Sequence, residues 1–114
     1  MALASEICRR YLVAYPDDVQ RYGDVATAWC IHDNQYLLFW AAESMNGYVN
    51  MKQEVAWLAS VLEARHFPID RLARNLDLGA AVVVDELNGT PGKRLAKVLT
   101  GAAEFVRSRD TFLE

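Results

Sequence analysis

Apolar residues recur every three or four positions along most of the chain, which is the spacing of one face of an α-helix. The pattern predicts a first helix from about Leu3 to Tyr15. Pro16 ends it, because the residue before a proline is pushed out of the helical region. A short turn then stops at Gly23. No convincing stretch alternates with a period of two, so the sequence predicts helices and not strands.

The next segment, Asp24 to Met45, has the most unusual pattern in the chain. Asp24 is a suitable N-cap residue, and Asn46-Gly47 is typical of a helix end. The second half of this helix, residues 37–42, is apolar on every side, which is typical of an enclosed helix. The first half contains four consecutive polar residues, at 32–35. We therefore expect this helix at the centre of the fold and regard its polar residues as the main functional candidates.

Two further helices follow the central one. Asn50, with Gln53 three positions later, resembles a capping box and begins a helix that reaches about His66. Pro68 suits the first position of the next helix, because its missing N–H would be unpaired there in any residue. Helical spacing of the apolar residues then continues to about Leu87.

The sequence does not decide whether the helix from Pro68 to about Leu87 is continuous. Gly79 and the β-branched run Val82-Val83-Val84 leave a break near 77–79, or a short strand, as an alternative. A last helix begins at Thr90-Pro91, and the residues from about Ser108 are expected to be frayed or available to a partner. The predicted fold is therefore all-α: a compact bundle of about five helices around the central helix at about 24–45, in a single helical domain, 1–114.

Composition narrows the function classes. The net charge is −3 with acidic residues spread along the chain, which gives no electrostatic reason to expect nucleic acid or an anionic membrane as a partner. No apolar run reaches about 18 residues, so no transmembrane helix is predicted. The first residues lack the pattern of a signal peptide, and we expect a cytoplasmic location. No cofactor is predicted.

The two cysteines, Cys8 and Cys30, belong to no metal-binding or redox spacing. We interpret them as reduced, partly buried thiols. Glu63 and His66 have the Glu-x-x-His spacing of di-iron bundles, but those bundles need the motif twice, so no metal site is predicted. Residues 72–83 have the rhythm of a helix-turn-helix, but the second helix would offer no basic or amide side chain to DNA. No activated nucleophile is recognisable, so no catalytic residue is assigned and an enzyme is not favoured.

Six residues of the central helix share one side, because they follow one another by steps of three or four: Trp29, His32, Asp33, Tyr36, Trp40 and Glu43. An imidazole and two carboxyl groups among three aromatic rings are candidates for binding a ligand or a partner. The alternative interpretation is structural: the rings are core, and the polar groups are satisfied by neighbouring helices or subunits. The sequence favours the structural interpretation.

Three tryptophans, five tyrosines and four phenylalanines are a heavy aromatic load for a small helical chain. Aromatic side chains are enriched at protein interfaces. The predicted function is therefore a non-enzymatic protein-interaction or regulatory module that forms a homodimer or binds another protein. The alternative is a helical bundle that binds a small molecule or cofactor beside the central helix. No family motif is recognisable in these residues.

Overall fold

Six α-helices with short connections make up the computed structural model, which describes residues 2–113; Met1 and Glu114 lie outside the described residues. In chain order they are α1 (Ala2–Ala14), α2 (Asp17–Tyr22), α3 (Val25–Met45), α4 (Met51–Ala64), α5 (Ile69–Glu86) and α6 (Thr90–Arg107). The described residues contain no strand. The predicted all-α bundle is confirmed, and the turn after Pro16 forms the additional short helix α2.

An α-helical hairpin of α5 and α6 contains the most extensive packing in the molecule, and α1 lies against both α3 and α5. The break considered near Gly79 does not occur, since α5 is continuous through this residue and through the valine run. A Cβ at Gly79 would lie 3.5 Å from the side chains of both Ile7 and Leu99. A Cβ at this distance makes ordinary van der Waals contact, so a small residue at this position fits the packing of α1 and α6 against α5.

The helix ends match the sequence prediction in part. Asn50 caps α4, because its side-chain oxygen accepts a hydrogen bond from the backbone N–H of Gln53 at 3.1 Å. Asp24 precedes α3, but its side chain makes no capping hydrogen bond. Thr90 is the first residue of α6, and Gly89 is the cap. The predicted boundaries of these helices are thus correct to within a residue or two, although the capping chemistry differs.

The expectation that α3 is enclosed on all sides is wrong. Leu37, Leu38 and Ala41 are buried in the core, but the neighbouring residues Phe39 and Ala42 are exposed to solvent. Although residues 37–42 are apolar on every side, one side of this part of α3 packs in the core and the other side is exposed to solvent. No helix among residues 2–113 has the length and hydropathy needed to cross a membrane.

The segment after α6 is not frayed to its end: Ser108 to Asp110 are exposed, but Phe112 is buried and contacts Phe105. Glu63 on α4 accepts hydrogen bonds from the Thr111 hydroxyl at 2.6 Å and from the Phe112 backbone N–H at 2.8 Å. These hydrogen bonds lower the pKa of Glu63, and the one from the Thr111 hydroxyl has the larger effect. Glu63 thus ties the C-terminal segment to α4.

Candidate functional site

A cleft of about 960 Å³ opens beside α3 and is lined by residues from α1 to α5. α3 supplies one wall and α4 the facing wall, while α1, α2 and the first turns of α5 contribute residues between them. The cleft is larger than any packing defect and falls in the size range of sites that hold drug-sized or cofactor-sized ligands. Its composition is therefore the best guide to function in this chain.

Aromatic rings follow one another along the α3 wall. The ring centroids of His32 and Tyr36 are 5.0 Å apart, and those of Tyr36 and Trp40 are 5.8 Å apart. Trp57 of α4 packs edge-to-face against Trp40, with centroids 6.4 Å apart and ring planes at 83°. Trp29 extends the row at the other end. All three tryptophans of the chain thus line the same cleft.

A pair of buried amides lies in this aromatic site. Asn34 on α3 donates from Nδ2 to Oδ1 of Asn75 on α5 at 3.1 Å, and Asn75 donates from Nδ2 to Oδ1 of Asn34 at 2.8 Å. Asn34 is 3% exposed and Asn75 is 7% exposed. Each amide group thereby satisfies much of the hydrogen-bonding capacity that burial would otherwise leave unpaired.

The interpretation of Cys8 and Cys30 as reduced thiols is wrong: the structure joins them in a disulfide, which links α1 to α3. Cys8 is buried, and Cys30 lines the cleft. The Nδ2 atom of Asn34 lies 3.4 Å from the Cys8 sulfur and 3.5 Å from the Cys30 sulfur. The disulfide and the amide pair therefore form one continuous structure beside the cleft, fastened to three helices.

A second buried polar group closes the α2 end of the cleft. Asp18 accepts a hydrogen bond from the Tyr11 hydroxyl at 2.6 Å. It also forms an ion pair with Arg71, at 2.7 Å. Arg71 also contacts Asp17 at 2.9 Å and lies over the Tyr15 ring at 4.3 Å. Burial, and then the Asp18 hydrogen bond, raise the pKa of Tyr11, so its hydroxyl remains a donor to Asp18.

Asp33 differs from Asp18 because it has only a weak partner. Its carboxyl oxygen lies 3.4 Å from Nδ1 of His32, and the side chains of His32 and Asp33 are 66% and 39% exposed. Burial raises the pKa of Asp33, while the His32 contact and the positive charge of Arg65 act in the opposite direction. Asp33 is thus a partly desolvated carboxyl group at the edge of the cleft.

The structure brings five of the six predicted site residues into the cleft and leaves Glu43 outside it. It also adds residues that the sequence did not single out as a site, chiefly Trp57, Glu54, Arg71 and Asn75. Trp57 had a usable signal, since it is one of only three tryptophans in the chain. Asn75 had none, because its role depends on the packing of α5 against α3.

The structure also bears on two other motifs considered in the sequence. Residues 72–83 lie within the continuous helix α5, so the helix-turn-helix rhythm corresponds to no turn. Among the described residues, no three His, Cys, Asp or Glu side chains are placed to hold a metal ion.

Comparison of the chain with protein-family models, with curated proteins and with solved structures found no significant match. Inference about function therefore depends on the cleft itself.

Proposed function

We propose that this chain binds a small, flat, largely aromatic molecule in the cleft beside α3, as a binding or regulatory module and not as an enzyme. The observation that supports the proposal is the convergence of Trp29, Trp40 and Trp57 on a cleft of about 960 Å³ that also contains a buried amide pair. Apolar walls with a few placed polar groups are typical of small-molecule sites.

The exposure of the aromatic residues also favours a ligand. Trp29 is 54% exposed, Tyr36 is 48% exposed and Trp57 is 59% exposed, so large apolar faces contact water in a concave site. Covering such faces with a flat ligand removes apolar surface from water, which is the main favourable term in binding. Rings that were simply core would be covered by the protein's own side chains.

The first experiment is native mass spectrometry of the protein isolated from its own source, to detect a bound mass and count subunits. A second experiment titrates a neutral aromatic probe, N-phenylnaphthylamine, and follows both probe and tryptophan fluorescence. Since every tryptophan lines the cleft, binding of the probe there should change tryptophan emission. We expect saturable probe binding accompanied by quenching of tryptophan.

Two matched variants test the location of the probe. Trp57→Ala removes a ring of the cleft, whereas Phe39→Ala removes a similarly exposed ring of α3 that does not line it. We expect Trp57→Ala to weaken probe binding by about fivefold or more, because one aromatic pair contributes on the order of 1 kcal/mol. Equal effects of the two substitutions, or no saturable binding, would overturn the proposal.

Self-association is the second candidate function, and it would involve exposed aromatic residues outside the cleft. Phe39 and Tyr48 are 56% and 78% exposed and lie outside the cleft, as expected for residues of a contact between two copies of the chain. The subunit count from native mass spectrometry tests it, and a dimer that persists in Phe39→Ala would argue against a contact through Phe39.

A cytoplasmic location remains a prediction, and the disulfide argues against a permanently reducing compartment.

A further inference from the structure

Each wall of the cleft carries a carboxyl group one helical turn before an aromatic ring. On α3, Asp33 precedes Tyr36 by three residues; on α4, Glu54 precedes Trp57 by the same step, and all four line the cleft. Residues three apart on a helix are neighbours on its surface. The two walls therefore present the same combination, a ring and a negative charge, to the space between them.

The positive charges of the cleft do not neutralise both carboxyl groups. Arg71 is held by Asp17 and Asp18 at the α2 end, at distances of 2.9 and 2.7 Å. Arg65 is exposed, and no ion pair joins it to a carboxyl group of the described residues. Its charge is felt by Asp33 but is screened by solvent. Glu54 likewise has no ion-pair partner within the described part of the chain.

The tryptophan faces are also free of the protein's own cations. The cation–π contacts among residues 2–113 place Arg21, Lys52, Arg71 and Arg109 over tyrosine and phenylalanine rings, and none of them involves a tryptophan. Tryptophan has the strongest attraction for a cation of the three aromatic side chains. The strongest cation-binding rings in the molecule thus face the cleft without a cation.

We propose that the ligand of the cleft is an aromatic organic cation, a flat ring system with a positive charge, bound against the packed pair of Trp40 and Trp57 and beside the carboxyl groups of Asp33 and Glu54. This inference rests on the proposed small-molecule function and specifies the ligand class. The rings attract both the flat surface and the charge of such a ligand, and the two carboxylates supply the counter-charge. Burial already disfavours the ionised form of Asp33, so a neighbouring cation would lower the pKa of this group towards its ordinary range.

The test compares three tricyclic probes of nearly the same shape in slightly alkaline buffer: N-methylacridinium, which is a cation, acridine, which is then neutral, and anthracenesulfonate, which is an anion. We expect N-methylacridinium to bind about tenfold more tightly than acridine, and anthracenesulfonate to bind most weakly. Added salt should weaken binding of the cation more than binding of acridine, because salt screens only the charged interaction.

Variants assign the charge preference to the two carboxyl groups. Glu54→Gln and Asp33→Asn should each reduce the preference for the cation over acridine by severalfold, whereas Glu104→Gln, at an exposed site on α6 outside the cleft, should leave it unchanged. Acridine binding as tightly as N-methylacridinium, or a preference unaffected by both cleft variants, would overturn the cation proposal while leaving the cleft as a binding site. Failure of all three probes, together with failure of N-phenylnaphthylamine, would instead count against the binding function itself.

Discussion

Asn34 and Asn75 hydrogen-bond to each other in both directions, with donor–acceptor distances of 3.1 and 2.8 Å, although 41 residues separate them in the chain. Asn34 also donates to the backbone carbonyl of Cys30 at 3.0 Å, one turn earlier on α3. The pair fixes the position of α3 relative to α5 at the point where both contribute to the cleft. Such reciprocal bonding is specific, because any shift of one helix breaks both hydrogen bonds at once.

Replacing one member of this pair should lower the free energy of unfolding by more than half of what replacing both members does. We expect Asn75→Leu to lower the free energy of unfolding by about 1 to 3 kcal/mol, because Asn34 then loses its main partner in a buried site. The Asn34→Leu/Asn75→Leu double variant should lose less than the sum of the single variants. Urea denaturation measures all three, with Gln35→Leu, an exposed amide on the same helix, as the control. Additive losses would show that the two amides are independent.

Helix positions were predictable from the sequence because they depend on local pattern. The spacing of apolar residues, Pro16, and the cap at Asn50 are each determined by residues within a turn or two. The common side of Trp29, Asp33, Tyr36 and Trp40 on α3 follows from the geometry of one helix, and all four residues line the cleft. What they face was not predictable in the same way.

The errors concern contacts between helices. Cys8 and Cys30 are 22 residues apart on different helices, and no sequence pattern specifies how α1 packs on α3. Glu43 continues the α3 band by the correct step, but the cleft lining on α3 ends at Trp40, against which Trp57 of α4 packs. The apolar circumference of α3 suggested full burial, yet the bundle covers only one side of it. Each error reflects a partner chosen by tertiary packing.

The disulfide should contribute substantially to stability. It closes a loop with a sequence separation of 22 residues, for which loop-closure entropy predicts about 3 kcal/mol. We expect dithiothreitol to lower the melting temperature of the natural chain, and Cys8→Ser/Cys30→Ser to melt at the lower temperature with or without the reductant. Thiol alkylation after denaturation without reductant provides the chemical check. Labelling of both cysteines in that experiment would show that the thiols are free.

Asp33 should reduce the stability of the ligand-free protein at neutral pH. Burial raises the pKa of its folded form, so the stabilising, protonated state is fully present only below the unfolded pKa and is lost as pH rises through the folded pKa. Asp33→Asn should therefore raise the free energy of unfolding at neutral pH. The gain should be about 0.5 kcal/mol, because the side chain is 39% exposed and water screens its charge.

The pH profile distinguishes this effect from a change in packing. The gain from Asp33→Asn should vanish in acid, where the carboxyl group is protonated in both the folded and the unfolded chain. Asp17→Asn is the control of opposite sign, since the hydrogen bond from Arg71 lowers the pKa of Asp17. That substitution should destabilise at neutral pH, with a loss that fades as pH falls through the folded pKa. Denaturation curves at several pH values measure both, and a pH-independent gain at Asp33 would contradict the electrostatic explanation.

Two glycines of α6 should respond in opposite ways to the same substitution. A Cβ at Gly92 would overlap the backbone carbonyl oxygen of Leu87 and come within 3.0 Å of that of Val83, whereas a Cβ at Gly101 meets no atom within 4 Å. Backbone atoms at the end of α5 are held by helical hydrogen bonds, including that from the Leu87 N–H to the Val83 carbonyl, so they yield little. Gly92→Ala forces the two helices of the hairpin apart.

We therefore expect Gly92→Ala to lower the free energy of unfolding by about 2 kcal/mol or more, the usual cost of overpacking. Gly101→Ala should instead raise it by about 0.5 to 1 kcal/mol, because alanine restricts the unfolded chain and favours the helix. Thermal melting of the two variants beside the natural chain measures the difference. A Gly92→Ala protein as stable as Gly101→Ala would contradict the close approach of the start of α6 to the end of α5.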